Sequence, residues 1–154
     1  MLTKKSLQQS TALTDIMDAD WFEKCVNHLN DAIVITEAEA LDFPGPKILW
    51  ANDFFYKLTG YEPAEIIGQS PRILQGPLTD QSALKKLRTA LEKWEVCSVE
   101  VLNYKKDGST FWNEFEVTPV TNKAGYYTHW IAVQRDITKR KQAEDITNKA
   151  HGLL

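Results

Sequence analysis

Two polar side chains, Arg72 and Gln75, have the spacing and the chemistry to hold a phosphate. They lie three residues apart, which is about one helical turn, so both can reach the same ligand. Ser70 is a good N-cap, because its hydroxyl can accept from a free backbone N–H, and Pro71 suits the first helical position. Gly76 provides a stop. The sequence therefore predicts a short helix that presents a guanidinium and an amide to an anionic group.

Three further amides lie on apolar rows in the second half of the chain, where the hydrophobic period changes to two. Alternate side chains of a strand share a face, so each amide points the same way as its apolar neighbours. The rows are Cys97, Val99 and Val101 with Asn103, Phe111, Phe115 and Val117 with Asn113, and Trp130 and Ala132 with Gln134. A buried amide without partners costs about 1–3 kcal/mol. These amides either bond one another, the backbone or a trapped water, or they hold a planar heterocycle with alternating donors and acceptors along one edge.

Local patterns predict the elements that precede these residues. An amphipathic helix is expected over residues 13–29, followed by short strands over 31–36 and 47–51. The loop between the two strands contains proline and glycine and has no regular pattern. Two short helices follow over 52–60 and 63–68, the first with cap-like asparagine and aspartate at its start.

The remaining elements carry most of the candidate site residues. The most regular helix spans residues 80–94, with Thr79 and Asp80 as candidate caps. Two strands then flank a hairpin turn at residues 105–109, where an Asp-Gly pair tolerates positive φ. A third strand spans 126–136 and leads into a final helix. The amides thus lie one on each of three consecutive strands.

Composition limits the possible classes of protein. The chain has 154 residues, of which 43% are hydrophobic and 25% charged, with a net charge of −3. This length suits one domain with helical extensions. No basic surface is expected for nucleic acid, no apolar run is long enough for a bilayer, and the N-terminus lacks the apolar stretch of a signal peptide. Cys25 and Cys97 have no motif spacing, so a reduced, cytoplasmic setting is expected.

The segment Gly68-Gln69-Ser70-Pro71-Arg72-Ile73-Leu74-Gln75-Gly76 resembles the flavin-contact helix of LOV domains, the blue-light-sensing branch of the PAS superfamily. The family pattern is Gly-Xaa-Asn-Cys-Arg-Phe-Leu-Gln-Gly. The resemblance extends over about residues 30–137 and implies an α+β PAS fold. That fold has a five-stranded antiparallel sheet with short helices on one face and flanking N- and C-terminal helices. We accordingly divide the chain into a flanking helix (1–29), a PAS/LOV core (30–137) and a C-terminal signalling helix (138–154).

The resemblance also implies a flavin, held noncovalently, as FMN with FAD as the alternative. Asn103, Asn113 and Gln134 match the positions that hydrogen-bond the isoalloxazine edge. The remaining implied contacts are Arg72, Gln75 and Arg88 to the phosphate and ribityl groups, Ser70 to the ribityl chain, and Leu74, Phe115 and Val117 along the ring. By itself Arg88 would be read as a solvated charge on a helix face, and Ser70 as a helix cap.

Pro71 stands where the family keeps the cysteine that bonds to the excited flavin. The chain therefore cannot form that adduct at this position. We expect instead blue-light or redox sensing by photoreduction of the flavin to the semiquinone, after which Gln134 rotates its amide and signals to the terminal helices. Candidate internal electron donors are Trp50, Trp112, Trp130 and Tyr104. The alternatives are a PAS interaction or dimerisation module without flavin and, more weakly, a flavoenzyme. No catalytic constellation or metal spacing is evident, so no enzymatic activity and no metal are expected.

Output is expected through the ends of the chain. Ala143, Ile146, Ala150 and Leu153 have the three-four-three spacing of an a/d seam, which a helix packed on its own sheet could also show. Ile131 and Val133 form an outward apolar row on the last strand, which needs a cover. The pattern predicts a homodimer through the flanking helices or the outer sheet face, and no nucleic-acid or membrane partner. A downstream effector domain is a further candidate partner.

Overall fold

Five antiparallel strands form the centre of the fold. The computed structural model describes residues 18–152. Its elements are α1 (Ala19–Asn27), β1 (Ala32–Glu37), β2 (Ile48–Ala51), α2 (Asp53–Thr59), α3 (Pro63–Ile66), the 3₁₀ helix η1 (Pro71–Leu74), α4 (Gln81–Glu92), β3 (Cys97–Tyr104), β4 (Thr110–Thr121), β5 (Tyr127–Asp136) and α5 (Thr138–Gly152). The strand order is β2-β1-β5-β4-β3, and every neighbouring pair is antiparallel. The predicted α+β architecture is confirmed.

The core lies between one face of the sheet and the four helices that connect β2 to β3. One buried cluster joins β1 and β2 to α2, α3 and η1, with Phe55 and Ile48 at its centre. A second joins α4 to β3 through Val99 and Val101. No residue of α4 is fully buried, because its apolar side faces the space between the two clusters. That space is the candidate site described below.

Asn52 joins three elements at one end of the core. Its side chain is fully buried, and its amide oxygen and amide nitrogen each form two hydrogen bonds. The Oδ1 atom accepts from the backbone N–H groups of Ile33 (2.9 Å) and Phe55 (3.2 Å). The Nδ2 atom donates to the carbonyls of Val26 (3.0 Å) and Asp31 (2.9 Å). The predicted helix start at this residue is thus confirmed, and the same side chain also fastens α1 and β1.

Asn52→Ala should lower the free energy of unfolding by about 2–3 kcal/mol, because it removes an N-cap and leaves buried backbone groups unpaired. Chemical denaturation of both proteins measures the difference. Asn27→Ala is a suitable control, since the side-chain bond of Asn27 within residues 18–152 accepts from the exposed N–H of Asp53. Equal stability of Asn52→Ala and the parent protein would show that this network contributes nothing net.

Two local predictions are wrong in detail. The helix after Ser70 is a single 3₁₀ turn that ends at Leu74, with Gln75 rather than Gly76 at its C-cap. Gly76 has instead a packing role, because a Cβ at this position would collide with the ring of Tyr104. Thr79 does not cap the next helix. Its hydroxyl accepts from the backbone of Gly76 and donates to the carbonyl of Leu102, so it ties this segment to β3.

The predicted helix 80–94 ends earlier, at Glu92, while Asp80 caps its start as expected. Trp94 lies beyond the helix in the left-handed region, with φ of 55°. Its ring stacks between those of Tyr127 (centroid distance 4.7 Å) and Trp130 (5.1 Å). A tertiary aromatic stack therefore overrides the helical pattern here.

The outer face of the sheet is only partly covered by the described residues. On one side, α1 packs Phe22 against Trp50 of β2. Of the predicted 13–29 helix, residues 13–17 lie outside the described residues, and the helix ends at Asn27 rather than at residue 29. On the other side, α5 crosses β4. Between them Val133 is 41% exposed. The outward apolar row predicted on β5 is therefore present in this chain.

Charged groups attach the first turn of α5 to the sheet. Glu100 of β3 pairs with Arg140 and, at 2.6 Å, with Lys141. The hydrogen bond from Lys141, assisted by Arg140, holds the pKa of Glu100 below its usual range. Lys141 also lies 5.0 Å above the ring of Trp112. Beyond Lys141 the described residues of α5, including Ile146, are exposed, so the predicted alternative of a helix packed along its own sheet is wrong beyond the first turn.

Candidate ligand-binding site

A cavity of about 590 Å³ lies between the inner face of the sheet, η1, α4 and the loop of residues 38–47. Its size falls within the roughly 300–1,000 Å³ of small-molecule sites. All ten predicted site residues line it: Ser70, Arg72, Leu74, Gln75, Arg88, Asn103, Asn113, Phe115, Val117 and Gln134. The structure thus brings together side chains from η1, α4 and all three C-terminal strands.

The three amides form one buried cluster at the sheet end of the cavity. Antiparallel pairing places Asn103 and Asn113 on β3 and β4, and Gln134 on β5, each at most 4% exposed. The Nδ2 group of Asn113 donates to Oδ1 of Asn103 and to Oε1 of Gln134, both at 2.9 Å. The first alternative, that the amides bond one another, is therefore met in part.

One atom of this cluster has no partner. Among the described residues, the Oδ1 atom of Asn113 is the buried side-chain polar atom that accepts no hydrogen bond. An unpaired buried acceptor costs about 1–3 kcal/mol, and this one belongs to a residue that lines the cavity. The cluster therefore suits a ligand that brings an N–H or O–H donor to it. An isoalloxazine edge fits, because its imide N–H lies between two carbonyl acceptors.

Two arginines converge at the opposite part of the cavity. Arg72 of η1 donates from Nη2 to the carbonyl of Leu41 at 2.6 Å, and Arg88 of α4 donates from Nη1 to the same oxygen at 2.8 Å. Arg88 also pairs with Asp42 and with Glu92, each at 2.8 Å. The hydrogen bonds that Arg88 donates to Glu92 and then to Asp42 raise its pKa, so its positive charge remains beside the cavity.

The residues around η1 position this positive end. The Ser70 hydroxyl caps the helix by accepting from the backbone of Arg72 at 3.2 Å, which confirms its predicted capping role. Arg72 and the C-cap residue of the helix, Gln75, both line the cavity. Leu74 faces the core and is 3% exposed. Phe115 and Val117 of β4 supply apolar wall between the two polar ends.

Sequence reasoning missed part of the lining. The loop of residues 38–47 contributes Leu41, Phe43 and Pro46, and α4 contributes Leu84, Leu87 and Leu91. The leucines could have been found, because they form the apolar row of the predicted helix. The loop offered no periodic signal. Of the four candidate electron donors, Trp130 is the one that lines the cavity.

Pro71 is the first residue of η1 and lines the cavity. Neither cysteine of the chain does so: Cys25 is exposed on α1, and Cys97 is buried beside Val99 and Val101. Residues 18–152 contain no cluster of side chains that could hold a metal ion. Within the same range, no helix is both long and apolar enough to cross a membrane.

Comparisons with known proteins identify this arrangement. A family model for the PAS domain matches residues 30–139. A solved structure of a light-oxygen-voltage domain, whose mechanism was studied with a flavin analogue, matches with a TM-score of 0.70 and 30% identity over 90% of this chain and 98% of that one. The chain is a PAS domain of the LOV type. The architecture described above is shared with this LOV domain.

Two curated relatives contain a similar segment. A blue-light-activated histidine kinase of Brucella anthropi is 38% identical over 121 residues, and the bacterioopsin transcriptional activator of Halobacterium salinarum is 36% identical over 112 residues. The matches cover 79% and 73% of the LOV domain, but only 24% and 16% of those proteins. The similarity therefore concerns a sensory domain within longer proteins.

Proposed function

We propose that this LOV domain binds a flavin noncovalently, preferably FMN with FAD as the other candidate, and senses blue light or redox state without forming a cysteinyl adduct. A bound flavin supplies blue-light absorption and, once excited, a strong one-electron oxidant. The amide cluster carries the proposal, because Asn113 lines the cavity and its unpaired oxygen requires a donor. In this assignment Asn103, Asn113 and Gln134 hold the ring edge.

The positive end of the cavity supports a phosphorylated ligand. Arg72 and Arg88 have planar guanidinium groups that can pair bidentately with phosphate oxygens. They share one acceptor, the Leu41 carbonyl, so a single anion can reach both of them. Gln75 and Ser70 line the cavity beside them and are assigned to the ribityl chain, while Leu74, Phe115 and Val117 flank the ring.

A second candidate function is a PAS interaction module that works without flavin. It is favoured by the direct bonds among the amides and by the arginines, which already have protein acceptors. Absorption of the purified protein separates the two functions. Flavin binding predicts a yellow protein with structured blue absorption and green fluorescence, whereas a colourless protein whose apo form refuses added FMN would favour the interaction module.

Gln134 is the residue we assign to signal transmission. An amide can exchange acceptor for donor by rotating, and Gln134 currently accepts from Asn113. It lies on β5, the strand that leads into α5. Two hydrogen bonds attach the junction between β5 and α5 to Trp112 of β4. The backbone N–H of Ile137 donates to the Trp112 carbonyl, and the Thr138 hydroxyl accepts from the Trp112 N–H. A rearranged amide cluster can therefore alter the strand ends that hold α5.

Gln134→Leu should still bind flavin, but illumination or reduction of the flavin should no longer change the hydrogen exchange of α5. Losing one hydrogen bond costs about 0.5–1.5 kcal/mol, which is too little to empty a site with several contacts, and leucine cannot exchange donor for acceptor. Hydrogen exchange of α5 in dark and illuminated samples measures the coupling. Asn103→Leu is the matched control, because it removes another amide of the cluster from a strand that does not lead into α5. A full response in Gln134→Leu would exclude Gln134 from signalling.

The terminal segments are proposed to carry the output. Residues 138–154 would act as a signalling helix and residues 1–29 as a flanking helix around the core at 30–137. The exposed seam residues Ala143, Ile146 and Ala150 of α5 and the open outer sheet face support a homodimer. Leu153 of that seam lies outside the described residues. An effector domain is proposed because the kinase relative is a longer protein.

A further inference from the structure

The loop of residues 38–47 closes the positive end of the cavity through its own acceptors. The Leu41 carbonyl accepts from both Arg72 and Arg88, and the Asp42 carboxylate accepts from Nη2 of Arg88. Farther along the loop, Gly45 is packed so closely that a Cβ there would lie 2.9 Å from the Ser70 hydroxyl. The loop therefore packs against Ser70 and binds Arg72 and Arg88, the two residues that are proposed to hold the phosphate.

The acceptors of the loop resemble a phosphate chemically. The carboxylate of Asp42 presents a negatively charged oxygen to Arg88, and the Leu41 carbonyl presents a partly negative oxygen to both guanidinium groups. Phosphate oxygens bind guanidinium groups in the same way. The third bond of Arg88, from Nε to Glu92, comes from its own helix and does not involve the loop. Arg88 has five N–H donors, and Nη1 and Nη2 each use one on the loop, on Leu41 and Asp42. A phosphate that approaches the Nη groups therefore competes with these loop acceptors. A charge on Asp42 would also repel the entering anion.

We propose that Asp42 and the Leu41 carbonyl form an internal competitor for the phosphate of the ligand, and that Asp42 sets the preference between phosphorylated and unphosphorylated flavins. The proposal rests on the proposed flavin site and deepens it. Phosphate binding releases the loop of residues 38–47 from Arg88, whereas a flavin without phosphate leaves the loop seated. The position of the loop therefore depends on whether a phosphate occupies the positive end of the cavity.

The test measures the affinity of the full chain, stripped of ligand, for FMN and for riboflavin, which lacks the phosphate. Asp42→Asn should tighten FMN binding about two- to fivefold, as expected from an exposed ion pair, and leave riboflavin binding unchanged. Asp31→Asn removes the same charge from another surface pair, with Arg135 at 3.2 Å, and should change neither affinity. Hydrogen exchange of residues 38–47 should increase when the parent protein binds FMN and stay constant when it binds riboflavin.

Three results would overturn the proposal. Equal effects of Asp42→Asn on FMN and riboflavin would reduce Asp42 to a general influence on the site. Slower exchange of the loop with FMN would mean that phosphate seats the loop instead of releasing it. In both cases flavin still binds and the proposed function stands. Failure of the parent protein to bind either flavin would remove the proposed function together with this inference.

Discussion

Blue light should leave no flavin–cysteine adduct in this protein, whereas the Pro71→Cys variant should form one. Pro71 lines the cavity and neither Cys25 nor Cys97 does, so the parent protein has no thiol beside the ligand. Proline at the first helical position is replaceable, and the Ser70 cap and the Arg72 bond to Leu41 should keep η1 in place. We therefore expect an all-or-none difference in adduct formation.

Absorption and electron paramagnetic resonance after illumination measure this difference, because a thiol adduct has no unpaired electron whereas a semiquinone formed from an internal donor is a radical. Pro71→Cys should lose its blue absorption without a radical signal and recover it in the dark, and any bleaching of the parent protein should be accompanied by a flavin radical. Pro71→Ser is the matched control, since it changes the same backbone position without supplying sulfur. Reversible bleaching of the parent protein without a flavin radical would contradict the proposal and direct attention to Cys97.

Removing both arginines should lower FMN affinity about 10²–10³-fold, because two charge-assisted bonds of about 1.5–2 kcal/mol each are lost. The variant is Arg72→Ala combined with Arg88→Ala. Both side chains donate to the Leu41 carbonyl at the cavity rim, away from the amide cluster, so riboflavin affinity should fall much less. Titration of the stripped protein with each flavin measures the two effects.

The conservative control is Arg72→Lys with Arg88→Lys, which keeps both charges but loses the bidentate geometry. It should bind FMN with intermediate affinity. Thermal unfolding of the apo forms checks that the alanine variant remains folded. If the alanine variant purifies with as much flavin as its parent, the phosphate is held elsewhere and the assignment of Arg72 and Arg88 is wrong.

The sequence predicts the strand side of the site well and the loop side poorly. The period of two fixes which face Asn103, Asn113 and Gln134 share, because alternation in a strand is a local property. Antiparallel pairing then brings the three together. What cannot be read locally is that Asn113 donates to both of the others and keeps one oxygen unpaired, since that depends on side-chain rotation in the assembled core.

The errors near η1 and α4 have a common physical cause. Gly76 was expected to stop a helix, but its place is set by the ring of Tyr104 from a strand later in the chain. Trp94 continues the helical pattern but leaves the helix to stack on Trp130 and Tyr127. Similarly, the contacts of Arg72 and Arg88 with Leu41 join residues 31 and 47 positions apart. Such long-range contacts leave no periodic trace in the sequence.

The ion pairs that attach α5 to the sheet determine how much free energy is needed to detach this helix. Among its described residues none is buried, and its first turn is attached through Glu100, Arg140 and Lys141, so apolar burial contributes little. Exposed ion pairs contribute about 0–1 kcal/mol each and weaken with ionic strength. A hydrogen bond gained or lost at the cavity is worth about 0.5–1.5 kcal/mol. The attached and detached populations of α5 are therefore close enough in free energy for one rotated amide to shift their ratio several-fold.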